Sequence, residues 1–80
     1  MIVKVLFFGV AKDISKANSI DLELKKGSNV SFLLEALKEK YPGFASINDF
    51  SIAVNEEYAE NDLLLNDSDI IAIIPPVSGG

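Results

Sequence analysis

One stretch of this 80-residue chain has the periodicity of an amphipathic helix, and the other apolar stretches have the character of β-strands. In residues 30–41 the apolar side chains recur at intervals of three and four, which places them on one side of a helix. They are Val30, Leu33, Leu34, Leu37 and Tyr41. A chain of this length forms one domain with one core. Its single predicted helix must therefore bury its apolar side against one face of a sheet.

The ends of this helix are marked by residues that start and stop helices. Asn29 or Ser31 can cap the first turn, because each offers a side-chain oxygen to the free backbone N–H groups there. Pro42-Gly43 follows the last periodic residue and predicts the end of the helix. Residues 44–50 are predicted to be irregular, with at most a single helical turn.

Four segments are predicted to be strands, namely residues 2–8, 19–25, 51–55 and 70–74. In residues 2–8, alternation places Val3, Val5 and Phe7 on one face and leaves the opposite face to the other four. That second set is Ile2, Lys4, Leu6 and Phe8. Residues 19–25 alternate most clearly, with Ile20, Leu22 and Leu24 directed inward. Pro75 ends the last strand.

The segments between these elements are predicted to be loops and turns. Residues 9–18 are interpreted as a loop that joins the first two strands into a hairpin. Residues 56–62 are acidic and turn-like, and residues 66–69 (NDSD) form a tight turn before the last strand.

The resulting order is β, β, α, β, β. The first and last strands are the most apolar, which favours adjacent central positions in the sheet. We therefore expect an α+β fold with a mixed sheet and one main helix on one face. This order is similar to that of the β-grasp, or ubiquitin-like, fold. Residues 1–74 are predicted to form the domain, and residues 75–80 a flexible, extended C-terminal tail.

The composition narrows the chemistry available to this chain. It has no cysteine and no histidine, so disulfides, thiolate metal sites and the commonest general base are missing. The net charge of −5 argues against nucleic acid and anionic membranes as partners and favours a basic protein surface. The N-terminal apolar run is short and interrupted by Lys4, unlike a signal peptide. We expect a cytoplasmic protein.

No catalytic constellation is present, and no glycine-rich phosphate loop is found. The acidic residues between positions 56 and 69 do not have the spacing of a calcium loop, so we interpret them as solvated and predict no metal site. They are Glu56, Glu57, Glu60, Asp62, Asp67 and Asp69. Lys12 and Lys16 either serve solubility or contact a partner.

The chain ends on PPVSGG, directly after the last apolar strand. Pro75 and Pro76 fix φ near −65° and favour an extended conformation, so the tail is expected to leave the sheet stiffly. Six residues span about 20 Å at full extension. Gly79 and Gly80 have no Cβ and can enter a narrow channel. The alternative is a frayed end without a role. We prefer the interpretation that the C-terminal carboxylate is offered to another protein's active site.

Several segments together resemble the small subunits of molybdopterin synthase, the sulfur carriers of molybdenum cofactor synthesis. These segments are VKVLFFGVAKD, SIAVN and LLNDSDIIAIIPPVSGG, and the resemblance covers essentially the whole chain. A final Gly-Gly alone is weak, because ubiquitin-like proteins and the thiamine sulfur carrier share it. Two prolines after the last strand, followed by an apolar residue, a small residue and Gly-Gly, are more particular to this family.

The resemblance implies a function for the tail. The Gly80 carboxylate would be adenylated with ATP by a partner that resembles ubiquitin-activating enzymes, and a sulfur donor protein would convert the adenylate to a thiocarboxylate (1-thioglycine). The tail, Pro75, Pro76, Val77, Ser78 and Gly79, would enter the large synthase subunit. There the sulfur would pass to cyclic pyranopterin monophosphate to form the dithiolene.

The resemblance also implies how the work is divided between subunits. The chain would bind no cofactor by itself and would not be an enzyme on its own, since the catalytic pocket would lie on the large subunit of a heterotetramer. Partner contacts are expected at Phe8, Tyr58 and Ile74. Strand parity puts Phe8 and Ile74 on the sheet face opposite the helix, provided that Ile71 and Ile73 point inward. The alternative is that Phe8 or Ile74 belongs to the core.

The sequence departs from the family pattern at three places. Lys12-Asp13 replaces an Arg-Glu pair, which removes a bidentate guanidinium contact. Ser68 replaces a glycine, at a cost of about 1 kcal/mol if the position needs positive φ. Ile70 replaces a more polar residue.

Other functions remain open from the sequence. The chain could carry sulfur for thiamine, cysteine or tRNA thiolation. It could instead be a ubiquitin-like modifier that forms isopeptides through Gly80, or an interaction module with an inert tail.

Overall fold

The structure, a computed structural model, describes residues 1–46 and 50–76. Five strands and two α-helices follow one another in the predicted β-grasp arrangement, with one strand and one short helix more than predicted. The strands are β1 (Ile2–Phe7), β2 (Ser19–Glu23), β3 (Ser51–Val54), β4 (Glu57–Tyr58) and β5 (Ile70–Ile74). The helices are α1 (Val10–Ser15) and α2 (Val30–Lys40), and a 3-10 helix spans Pro42–Ser46.

The strands form one mixed sheet in the order β2-β1-β5-β3-β4. β1 and β5 are parallel neighbours, and every other neighbouring pair is antiparallel. The most apolar strands therefore lie side by side inside the sheet, as their composition predicts. In this register Leu6 is paired with Ala72, and Ala72 is paired with Ala53.

The core lies between the sheet and α2. Val3, Val5 and Phe7 are at most 3% exposed, and Ile71 and Ile73 beside them at most 1%. α2 contributes its predicted apolar residues to the same cluster, with Val30, Leu33 and Leu37 buried and Leu34 partly buried. Alternate residues of β1 and β5 therefore face α2, and the residues between them lie on the opposite face of the sheet, as predicted.

α2 begins and ends close to the predicted positions. The side chain of Asn29 accepts a hydrogen bond from the backbone N–H of Phe32 at 2.9 Å, which makes Asn29 the cap. The helix ends at Lys40, and Pro42 and Gly43 open the 3-10 helix. The ring of Tyr41 packs edge-on against that of Phe7, with centroids 6.0 Å apart. The C-terminal end of α2 therefore lies over the end of β1.

Two segments differ from the prediction. Residues 9–18 are not a plain loop, because they contain α1. This helix of six residues is too short to show a periodic pattern, and its buried Ala11 gave no strong apolar signal. The segment 56–62 is not only a turn, because Glu57 and Tyr58 pair with Val54 and Ala53 as β4. Both side chains of β4 are exposed, so no alternation marks the strand.

β5 ends at Ile74. The division into a domain and a flexible tail stays a prediction, because residues 77–80 lie outside the described residues. Within the described residues, no helix is long and apolar enough to cross a membrane.

Candidate functional site

The tail begins at the end of an interior strand. β5 is flanked by β1 and β3, and its last residue, Ile74, is paired with Ser51. Pro75 follows, and its nitrogen has no hydrogen to donate to a neighbouring strand. The proline pair therefore starts where strand pairing stops, as the sequence predicts. We call Pro75 and Pro76 the tail root.

The tail root lies against a glycine at the end of β1. A Cβ atom built on Gly9 would be 2.9 Å from Cγ of Pro75 and 3.8 Å from its Cδ. Real Cβ atoms do not approach other atoms that closely, so one of the two residues would have to move. Gly9 also has φ 55° and ψ −130°, a combination that side chains disfavour. Both observations require glycine at this position.

Gly9 also starts α1. Its carbonyl oxygen accepts a hydrogen bond from the N–H of Lys12 at 3.0 Å. One residue therefore turns the chain out of β1, opens the helix and makes room for the tail root. Sequence reasoning missed this role. A glycine directly after an apolar strand was the available sign, but nothing in the sequence alone places it beside Pro75.

The remaining tail residues predicted to carry the chemistry lie outside the described part of the chain. They are Val77, Ser78, Gly79 and Gly80. Their proposed roles therefore stay predictions.

The face of the sheet opposite α2 is apolar along its middle, and we call it the outer face. Paired residues of neighbouring strands share a face, so the row Leu6, Ala72, Ala53 and Tyr58 crosses four strands. Ile70 belongs to the same face, since it alternates with the buried Ile71. Ile70 is 45% exposed, and Leu6 and Ala72 are partly exposed. This surface is defined by the pairing of the four strands, because each strand contributes only one or two of its residues.

The three predicted partner-contacting residues all avoid the core. Phe8 is 48% exposed and Tyr58 is 78% exposed, while Ile74 is half-buried. Phe7 is paired with Ile73, so the next residues of these parallel strands, Phe8 and Ile74, lie together at the tail root. Tyr58 lies two strands from Ile74, about 10 Å across the sheet, and three strands from Phe8. Neither Phe8 nor Ile74 belongs to the core cluster or packs against it, so the alternative that either is an ordinary core residue is wrong.

The outer face contains a shallow groove that sequence reasoning did not single out. It has a volume of about 390 Å³ and is lined by Leu6, Ile70, Ala72, Asn55 and Glu56. The walls from β1 and β5 are apolar, and the turn between β3 and β4 adds the polar residue Asn55 and the acidic residue Glu56.

Both aspartates of the predicted NDSD turn accept hydrogen bonds. The interpretation of the acidic residues as solvated is wrong for Asp69, which is buried, and agrees with the exposure of Asp67. The carboxylate of Asp69 accepts hydrogen bonds from the side-chain amide of Asn55 at 2.9 Å and the backbone N–H of Asn66 at 2.7 Å. Asp69 is only 9% exposed. Asp67 accepts from the backbone N–H of Ile2 at 2.8 Å and ties the turn to β1. Ser68 between them has φ 71°, the positive value considered above.

Lys12 and Lys16 belong to α1 and its C-terminal cap, not to a loop. With Asp13 they line a shallow depression of about 380 Å³ on the surface. Among the residues that the structure describes, no group of three or more acidic, histidine or cysteine residues could hold a metal ion.

Comparison with known proteins identifies the family of this chain. The family model described as the ThiS family matches residues 5–80. The chain belongs to the ThiS family. A curated relative in this comparison is the molybdopterin synthase sulfur carrier subunit of Dictyostelium discoideum. It is 42% identical over 96% of this chain and 94% of its own length. The family resemblance seen in the sequence is thereby confirmed.

Solved structures of similar proteins agree with this ThiS-family assignment. A protein assigned as molybdopterin converting factor subunit 1 from Pyrococcus furiosus superposes with a TM-score of 0.90 at 29% identity. The alignment covers 95% of this chain and 98% of that one. A chain in the complex of subunits 1 and 2 of molybdopterin-converting factor from Helicobacter pylori gives a TM-score of 0.71 at 28% identity, with both chains fully covered. The β-grasp fold of this ThiS-family chain is thereby confirmed.

Proposed function

We propose that this chain is the sulfur carrier subunit of a molybdopterin synthase. The observation that carries the proposal is the similarity to a curated subunit of that name, at 42% identity over almost the whole of both chains. The geometry agrees with such a role, since the chain presents a tail root and an exposed apolar face side by side. In this proposal the chain donates sulfur, and its partners supply the catalytic groups.

The first step activates Gly80. A carboxylate is a poor electrophile because its charge is delocalised and oxide is a poor leaving group. In the proposed step, the Gly80 carboxylate attacks the α-phosphate of ATP in the active site of an adenylyltransferase, and pyrophosphate leaves. The product is an acyl adenylate, in which AMP has become a good leaving group.

The second step loads the sulfur. A donor protein delivers sulfur at the oxidation level of sulfide, the sulfur bonds to the carbonyl carbon of Gly80, and the bond to AMP breaks. The chain then ends in a thiocarboxylate and needs no cysteine to carry sulfur. In the large subunit this sulfur bonds to a carbon of the cyclic pyranopterin precursor, and a carbon–oxygen bond of the precursor breaks. Water then cleaves the acyl–sulfur bond and restores the carboxylate. Two loaded chains supply the two sulfurs of one dithiolene.

In this scheme, contacts of the folded domain set the direction in which the tail leaves β5. Pro75 is packed against Gly9, and both prolines restrict the backbone. Six residues reach about 20 Å from the end of β5 at full extension. Restricting the first residues lowers the conformational entropy that the tail loses when it enters a channel, which favours insertion.

The outer face is the surface that we assign to the large subunit. Exposed aromatic and aliphatic residues beside the tail root are suitable anchors, because buried aromatic side chains dominate the energetics of protein interfaces. Docking through Phe8, Ile74 and Tyr58 places the tail root at the edge of the interface. The tail can then extend into the partner's active site.

Reconstitution tests the proposal. The thiocarboxylated chain is mixed with a molybdopterin synthase large subunit and the cyclic precursor, and the dithiolene product is measured. We expect product from the loaded chain and none from a chain that lacks Gly79 and Gly80, although both should bind the large subunit. Product from the shortened chain would contradict the proposal.

A further inference from the structure

The groove on the outer face combines apolar walls with one acidic residue in its lining. Leu6, Ile70 and Ala72 form the walls, and Glu56 lies at the turn between β3 and β4. Ile70 is 45% exposed, although it lies in an interior strand. Such a surface gains free energy when a partner covers it.

The turn that carries Glu56 has an unfavourable backbone conformation for that residue. Asn55 has φ 51° and Glu56 has φ 72°, so both central residues of this two-residue hairpin connection are left-handed. Such turns favour asparagine followed by glycine. Glutamate has a Cβ atom and is disfavoured there. The chain therefore keeps a carboxylate at a position where glycine would be the more stable choice.

Hydrogen bonds fix this turn against β5. The N–H of Asn55 donates to the carbonyl of Ile70 at 2.8 Å, and the N–H of Ile70 donates to the Asn55 side chain at 3.0 Å. The Asn55 amide also donates to the buried carboxylate of Asp69. The backbone position of Glu56 relative to the groove is therefore set by the fold.

The Glu56 carboxylate itself has no partner within the part of the chain that the structure describes. No hydrogen bond or ion pair to its side chain is present there. Lys4 is paired with Ile70 on the same face but is not among the residues that line the groove. An apolar side chain that filled the groove alone would remove water from the carboxylate without replacing its hydrogen bonds, which is unfavourable. A side chain with an apolar stem and a cationic head avoids this cost.

We propose that this groove receives an arginine or lysine side chain of the large subunit. The methylene stem lies along Leu6, Ile70 and Ala72, and the cationic head meets the carboxylate of Glu56. Arginine fits better than lysine, because its planar guanidinium can bind a carboxylate through two hydrogen bonds and is less strongly hydrated. The inference rests on the proposed function, since it names the chemistry of the partner at the docking face.

The proposal makes Glu56 a specificity determinant of docking. A net charge of −5 attracts any basic surface at long range, but only a cation seated in the groove depends on this one carboxylate. The ion pair also differs from the apolar anchors Phe8 and Tyr58 in its response to salt, because salt screens charges and leaves apolar contacts.

Binding of the purified large subunit to Glu56 variants of the full chain tests the inference. Glu56→Gln removes the charge and keeps the shape, and Glu56→Gly also relieves the backbone. We expect both to raise Kd about 10-fold at low salt. The difference from wild type should shrink as salt rises from about 50 mM to about 500 mM. Glu35→Gln removes the same charge from the exposed side of α2 and serves as the control.

The outcomes separate the inference from the proposed function. If Glu56→Gln changes Kd no more than Glu35→Gln does, and wild type still binds and transfers sulfur, the cation in the groove is disproved and the carrier function stands. If wild type does not bind the large subunit at all, both the proposed function and this inference are disproved. Binding by Glu56→Gly that is weakened, although its fold is more stable, would support the inference directly.

Discussion

Pro75 occupies the space that a side chain on Gly9 would need, with only 2.9 Å between the Pro75 Cγ atom and a Cβ built on Gly9. The two residues are far apart in sequence and lie at the ends of adjacent parallel strands. Their contact links the exit of β1, the start of α1 and the departure of the tail. The direction of the tail root therefore depends on a glycine near the other end of the chain.

The first prediction concerns this contact. Gly9→Ala should lower the free energy of unfolding by about 2–4 kcal/mol, because it adds a steric overlap to an unfavourable backbone conformation. Chemical denaturation of the purified variant measures the loss. Sulfur transfer by the fraction that remains folded should also fall, since Pro75 must move.

A double-mutant cycle separates the two causes. Pro75→Ala removes the atoms that Gly9→Ala would meet, so the cost of Gly9→Ala should be at least about 1 kcal/mol smaller in that background. An unchanged cost would show that the backbone conformation of Gly9 alone explains the loss. The contact with Pro75 would then have no energetic role.

The second prediction concerns Ser68, which has φ 71° in the turn before β5. Ser68→Gly should raise the free energy of unfolding by about 0.5–1 kcal/mol, since glycine adopts this conformation without strain. The midpoint of urea unfolding measures the change. Ser28→Gly is the matched control and should destabilise, because the Ser28 hydroxyl donates to the carbonyl of Lys25 at 2.7 Å. Destabilisation by both changes would contradict the account of Ser68.

The third prediction compares the two aspartates of that turn. Asp69→Ala leaves the amide of Asn55 and the N–H of Asn66 without their acceptor in a partly buried place, and should cost about 2–3 kcal/mol of stability. Asp67→Ala removes one hydrogen bond, from Ile2, in an exposed place, and should cost about 1 kcal/mol or less. Thermal and denaturant unfolding of both variants test the order, and equal losses would refute it.

The fourth prediction concerns the outer face. Phe8→Ser and Tyr58→Ser should leave the free energy of unfolding within about 1 kcal/mol of wild type, because Phe8 is 48% exposed, Tyr58 is 78% exposed and neither belongs to the core. Each should raise the Kd for the large subunit about 10-fold or more, as expected for aromatic anchors. Phe32→Ser is the control, since Phe32 is 57% exposed on α2 and lies away from the outer face. Titration calorimetry measures all three, and equal effects at Phe8 and Phe32 would remove Phe8 from the interface.

Periodicity allowed much of the fold to be predicted. The spacing of apolar residues in α2 and their alternation in β1 and β5 each indicate an element that is buried on one side. Such periodic patterns are the strongest structural signal in a sequence, so these elements could be predicted. The parity argument that put Phe8 and Ile74 on the uncovered face worked for the same reason. α1 and β4 were missed because six and two residues are too few to form a pattern.

The site was less predictable because it depends on contacts between distant residues. No local sequence pattern indicates that Gly9 lies beside Pro75. None indicates that Asp69 is buried and accepts a hydrogen bond from Asn55. The outer face emerges only when four strands are registered, since Leu6, Ala72, Ala53 and Tyr58 come from separate segments. The chemistry of Gly80 stays a prediction from the sequence and the family.

The central claim is that Gly80 carries the sulfur, and intact mass spectrometry tests it most directly. The chain is incubated with ATP, a sulfur source and a candidate adenylyltransferase shown to be active on a known carrier, and fragmentation locates any change. The account predicts exchange of one oxygen for one sulfur at Gly80, and no exchange in a chain that lacks Gly79 and Gly80. An unchanged mass for the full chain, or sulfur located at any other residue, would contradict the account.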